Sequence, residues 1–125
     1  MYKTKYLIIV YMSLLISLLY IVLSCSNDNK EEFDYGGYVY DNISKNPIEN
    51  VKVTVNEDSN KITTYTDNNG FFKFRLKVSK VPFGAMSIDI RYCEFVRNGY
   101  KILNGELIQG KIDKIFYMTK DNTSD

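Results

Sequence analysis

Between Pro47 and Leu76 the chain alternates, and alternation of this kind admits few folds. Val51, Val53 and Val55 are interleaved with Lys52, Thr54 and Asn56, the period of two that gives a strand one apolar and one polar face. Phe72, Phe74 and Leu76 repeat the pattern against Lys73, Arg75 and Lys77. Between the two runs lies Asp67-Asn68-Asn69-Gly70, residues that tolerate positive φ and close turns with their own side chains. The stretch predicts strand, turn, strand, turn, strand. It delivers the Val face and the Phe face to a shared core, with the two strands as neighbours, Phe74 at the centre and Phe71 facing outward.

The remainder extends the same grammar. Tyr35 to Asp41 predicts a first strand, with Val39 inward and Tyr38 and Tyr40 sharing the other face. Glu57 to Asn60 is a polar turn. Met86, Ile88, Ile90 and Tyr92 alternate with Ser87, Asp89, Arg91 and Cys93, which predicts a half-buried strand. Asn98-Gly99 and Asn104-Gly105 are hairpin turn signals, setting off Tyr100 to Leu103 and Glu106 to Ile108. Ile112 to Met118 is apolar on both faces at Ile115-Phe116-Tyr117 and is therefore expected in a central position. With two Pro, eleven Tyr and seven Phe, the balance favours strands over helices. The sequence thus implies an all-β domain.

Particular residues also resemble a known family. Pro47-Ile48-x-x-Val51-x-Val53-x-Val55, then Thr66-Asp67-x-x-Gly70-x-Phe72-x-Phe74-x-Leu76, is similar to the carboxypeptidase regulatory-like domain. Gly37-Tyr38-Val39 with Asp41 resembles that family's first strand, and Tyr92 with Gly99-Tyr100-Lys101 resembles its later pattern. The resemblance implies a single transthyretin-like (prealbumin-like) β-sandwich of about seven strands and says little about function, because such modules are attached to many unrelated proteins.

The N-terminus carries a second signal. Lys3 and Lys5 precede an uncharged run from Tyr6 to Leu23 that ends at Ser24-Cys25. A basic start followed by an apolar run marks a secretory segment. Val22-Leu23-Ser24-Cys25 resembles the bacterial lipobox, which implies cleavage after Ser24 and lipidation of Cys25; an uncleaved membrane anchor is the alternative. Residues 1–24 are thus a signal peptide, 25–34 a polar tether, 35–119 the sandwich and 120–125 a polar tail. Lys30-Glu31-Glu32 resembles the signal that sends lipoproteins of Bacteroidetes-type bacteria to the cell surface. Such triplets also arise by chance in polar linkers. The expected location is the cell envelope, as an outer-membrane lipoprotein that the triplet would expose at the surface.

Little in the chain suggests reaction chemistry. Formal charge is +1, so no basic field recruits nucleic acid. Loss of Lys3 and Lys5 leaves 14 basic against 15 acidic side chains, and anchoring then falls to the lipid rather than to a polybasic patch. The chain has no His, the commonest general base and metal ligand. Cys93 is the one thiol left beside a lipidated Cys25, with no base to activate it, and is read as structural. Asp67-Asn68-Asn69-Gly70 lacks the flanking oxygen ligands of a calcium loop and is read as a turn. No catalytic, cofactor or metal residue is assigned, and no enzyme is expected.

What remains is the Tyr complement. Tyr35, Tyr38, Tyr40, Tyr65, Tyr92, Tyr100 and Tyr117 follow the signal segment, and aromatic faces on a sandwich can stack on sugars or anchor a protein. The function expected is a non-catalytic, lipid-anchored envelope module that binds or scaffolds a protein or glycan partner. The alternative is a structural or adhesin subunit, pilin-like, that adds a strand to a neighbour. An envelope hydrolase ranks last, for want of a base, a metal cluster or an activated nucleophile.

Overall fold

The computed structural model describes residues 2–24, 29–81 and 87–123. One helix and seven strands follow in order. Helix α1 (Tyr2–Ser24) is 23 residues long and is exposed to solvent wherever its side chains are described. Among the described residues it touches no strand. Its span from Tyr2 to Ile21 is long and apolar enough to cross a membrane, about 30 Å at 1.5 Å per residue. Ser13 and Ser17 return their hydroxyls to the carbonyls of Val10 and Leu14, which suits an apolar surround. The helix is compatible with a signal peptide or a membrane anchor, and it keeps the whole chain from being purely β.

The strands are β1 (Lys30–Asp41), β2 (Lys52–Glu57), β3 (Asn60–Tyr65), β4 (Phe71–Ser79), β5 (Ile90–Val96), β6 (Leu103–Ile108) and β7 (Lys114–Met118). They form two sheets in a sandwich-like architecture: β4-β1-β7, and β3-β2-β5-β6. Every pairing is antiparallel except β1 with β7. Between the sheets lie Tyr35, Val39, Val51, Val53, Val55, Phe72, Phe74, Leu76, Cys93, Phe95, Leu107, Phe116 and Met118, all buried. Phe72, Phe95 and Phe116 meet with ring centroids 4.7 to 6.0 Å apart, tilted or edge-on as aromatic quadrupoles prefer.

The central stretch folds as its alternation dictates. Val51, Val53 and Val55 face inward, as do Phe72, Phe74 and Leu76. The two runs are neighbours across the core, on facing sheets, rather than along one sheet. The turn between them is closed by Asp67, whose Oδ1 accepts from the amides of Asn69 and Phe71, each at 2.9 Å. Gly70 turns the chain at φ 73°, a conformation that costs a side-chain-bearing residue. Thr66, buried, accepts from Val51 N at 2.9 Å and donates to Ile48 O at 2.6 Å. It thereby satisfies backbone groups where β2 begins.

Four expectations need correction. Strand β1 starts at Lys30, not Tyr35, so residues 30–34 of the expected tether are sheet. Glu32 and Asp34 there alternate outward and meet Arg75 at 3.9 and 3.4 Å on β4, so polar composition hid a paired strand. Strand β5 packs through the opposite parity: Cys93 and Phe95 are buried, while Ile88 and Tyr92 are 71% and 72% exposed. The reason is register, since Phe95 pairs with Val53 and Cys93 with Val55, and Val53 and Val55 already face the core. Met86, the expected start of that strand, lies outside the described residues. Asn104-Gly105 is inside β6 rather than at a turn, and the turn after β6 is formed at Gln109-Gly110. Finally, β7 is an edge strand rather than a central one. Its second apolar face, Ile115 and Tyr117, remains about half exposed.

Candidate functional site

The outer face of the three-stranded sheet divides in two. Toward the β1 N-terminus it is a lattice of ions, with Lys73 3.8 Å and Arg75 3.4 Å from Asp34. Toward the β1 C-terminus it is aromatic. Tyr38 lies opposite Phe71 of β4 and Ile115 of β7, and Tyr40 lies opposite Tyr117. Paired residues share a face, so register alone gathers one apolar patch from three strands.

Ring contacts join the patch into a row. Phe71 and Tyr38 have centroids 5.1 Å apart, Tyr38 and Tyr40 6.2 Å, and Tyr40 and Tyr117 6.4 Å. The ammonium of Lys45 sits 4.3 Å from the Tyr117 centroid, inside cation–π range. Asp41 places that lysine. Its Oδ1 accepts from the amides of Ile43 and Ser44, each at 2.8 Å, and its Oδ2 from the Tyr100 hydroxyl at 3.0 Å. Those bonds close the 42–45 turn and carry Lys45, at φ 60°, back over β7. The amides of Ser44 and Ile43, followed by the Tyr100 hydroxyl, hold the Asp41 carboxyl down to about 2.

Of the tyrosines singled out from sequence, the fold thus unites Tyr38, Tyr40 and Tyr117. Tyr65 and Tyr92 project from the other sheet. Tyr100 is tied to Asp41. Tyr35 is buried outright, and its hydroxyl donates 2.8 Å to Asp89. Sequence reasoning missed Phe71 as a contributor, although its outward parity was legible, and missed Ile115 and Lys45. Their membership depends on the parallel pairing of β1 with β7, strands more than 70 residues apart.

Two other places bear on chemistry. At the end of the sandwich where β1 begins, a cleft of about 570 Å³ lies among Phe33, Val78, Val81, Ile88 and Gln109. Beside it Asp89 holds Arg91 and Tyr35, exchanges bonds with Gln109, and Arg91 reaches Lys77 O at 3.2 Å. These bonds tie elements of both sheets and act as a clamp. The Cys93 thiol is 4% exposed, and burial pushes it up to about 12, the reverse of what a nucleophile needs. No group of three or more His, Cys, Asp or Glu able to hold a metal occurs among the described residues. Cys25, the expected lipidation site, lies outside them. Neither protein-family models nor curated proteins give a match to this chain.

Proposed function

We propose that this protein is a non-catalytic, lipid-anchored module of the cell envelope that engages a protein or glycan partner through the row Phe71–Tyr38–Tyr40–Tyr117. The row carries the reading. It joins four rings from three strands into one partly exposed surface, topped by a cation, the composition that anchors interfaces and stacks on sugars. A transthyretin-like sandwich of the carboxypeptidase regulatory-like kind is supported by the seven strands in two sheets and by the structural work of Thr66, Asp67 and Gly70. The lipobox-like Ser24-Cys25, after a helix fit to be a signal, supports anchoring at the outer membrane.

Strand addition is the second reading, favoured by the edge position of β7 with Ile115 and Tyr117 half exposed beside it. One experiment separates the two. Tyr38→Ala, Tyr40→Ala and Tyr117→Ala combined should weaken capture of envelope glycans or envelope protein by roughly tenfold or more, with the circular dichroism unchanged. Unaltered binding sinks the row as the contact face. A wild-type chain that forms oligomers through β7 favours strand addition instead. Independently, Cys25→Ala should abolish labelling by a fatty acid.

A further inference from the structure

The anchor and the start of the sheet are too close for the domain to stand clear of its membrane. Lys30 is already hydrogen-bonded sheet, paired with Ser79, and Asn29 O accepts from Lys80 N at 2.7 Å. Only residues 26–29 separate Cys25 from that sheet. However they are arranged, the five steps from Cys25 to Lys30 reach at most about 17 Å. An uncleaved α1, ending at Ser24, would impose the same limit. The tether read from sequence as ten residues long is therefore no more than half that, and the β1 N-terminal end of the sandwich is held at the lipid surface.

That end also carries incompletely covered apolar side chains. Phe33, Val78, Val81 and Ile88 converge there around the cleft, and Val81 and Ile88 are exposed. Of the cations at this end, Lys30 is already paired with Asp58 at 3.3 Å. Strand β1 then runs twelve residues away from this end, about 36 Å, and the aromatic row lies at its far half.

We propose that the end of the sandwich bearing Val81 and Ile88 rests on the bilayer that holds the anchor, inserting those side chains among the lipids and turning the Tyr38–Tyr40–Tyr117 row away from the membrane. The contact is apolar, so it survives high salt. The inference rests on the anchoring part of the proposed function and is independent of what the row binds.

The chain contains no Trp, which permits a direct test on the full lipidated protein. Ile88→Trp places a single reporter at the proposed contact, Val81→Trp a second beside it, and Ile43→Trp one at the opposite end, where the native side chain is 79% exposed. Each protein is reconstituted into phosphatidylethanolamine–phosphatidylglycerol vesicles with and without dibrominated phosphatidylcholine. Bromolipid should quench the Ile88→Trp and Val81→Trp reporters by roughly threefold more than the Ile43→Trp reporter, with little change in high salt. Equal quenching at both ends, in protein that carries fatty acid and floats with the vesicles, overturns this inference and leaves anchoring intact. Protein that carries no fatty acid and does not float overturns anchoring, and this inference with it.

Discussion

The Tyr35 hydroxyl, on a side chain wholly buried in β1, donates 2.8 Å to the carboxylate of Asp89, just before β5 of the opposite sheet. Tyr35 is the largest fully buried side chain in the sandwich, yet its polar tip is not stranded. Burial, and then the bond to Asp89, push its phenol well above the ordinary range, so it remains a donor at any pH the protein meets. One side chain thus serves the apolar core with its ring and the two-sheet clamp with its oxygen.

Tyr35→Phe keeps the ring and removes the bond. Asp89 retains Arg91, so the carboxylate is not left bare, and the expected loss is about 1–2 kcal/mol. Tyr92→Phe, at an exposed position, should change stability by less than about 0.5 kcal/mol. Urea denaturation of both variants checks the pair. Equal midpoints would mean that the Tyr35–Asp89 bond contributes nothing net.

Phe74 and Phe71 occupy one strand with opposite parity. Phe74 is buried among the core rings, whereas Phe71 lies on the outer face, half covered by Tyr38. Phe74→Ala should cost about 3–5 kcal/mol, from lost transfer energy and the cavity left behind, against about 5–15 kcal/mol for a whole domain. Phe71→Ala should cost roughly 1–2 kcal/mol, for partial burial and one ring contact. Comparable losses at the two positions would overturn the division of β4 into an inner and an outer face.

How much of this was legible in the sequence depended on whether one face of each segment was plainly apolar. From Val51 to Leu76 it was, and parity, turn and core emerged together. In the stretch leading into and through β5 both parities carry apolar side chains, Ile88, Ile90 and Tyr92 on one and Cys93 and Phe95 on the other. Local pattern cannot choose between them; pairing with β2 does. The first five residues of β1 escaped notice because charged side chains are good outer-face residues when a neighbouring strand supplies Lys73 and Arg75. The aromatic row was visible only as separate tyrosines, since its assembly requires a parallel register between the two ends of the domain.

Gly105 illustrates a local signal overruled by packing. Asn104-Gly105 has the composition of a tight turn, but a Cβ at Gly105 would lie 2.8 Å from Phe116 Cε1 and 3.0 Å from Phe95 Cε2. The glycine is there so that those rings, 4.7 Å apart, can lie against the β6 backbone. Gly105→Ala should therefore destabilise by about 1–3 kcal/mol through overpacking, while Asn104→Ala, exposed on the same strand, stays within about 0.5 kcal/mol. Thermal melts decide the matter. A neutral Gly105→Ala would show that the rings can shift at no cost, and that the packing reason is wrong.

Asp41 supplies the pH dependence. Its carboxylate accepts from the Ser44 and Ile43 amides and from Tyr100, and these bonds lower it from the ordinary value 3.8 to about 2. The folded value lies below the unfolded one, so the folded state prefers the charged carboxylate. The stabilisation from those bonds is then complete above the unfolded pKa and drains away as pH falls through the folded one. Asp41→Asn keeps an acceptor for the amides and cannot ionise. The stability gap between wild type and Asp41→Asn should be constant above about pH 5, shrink between there and about pH 2, and level off below. Denaturation midpoints of both proteins across that range measure it. The same variant loosens the turn that carries Lys45 over Tyr117, so partner binding through the aromatic row should weaken at neutral pH, where the fold itself is intact. A gap that does not vary with pH would mean that Asp41 is held by shape rather than by charge, and that Lys45 keeps its place without it.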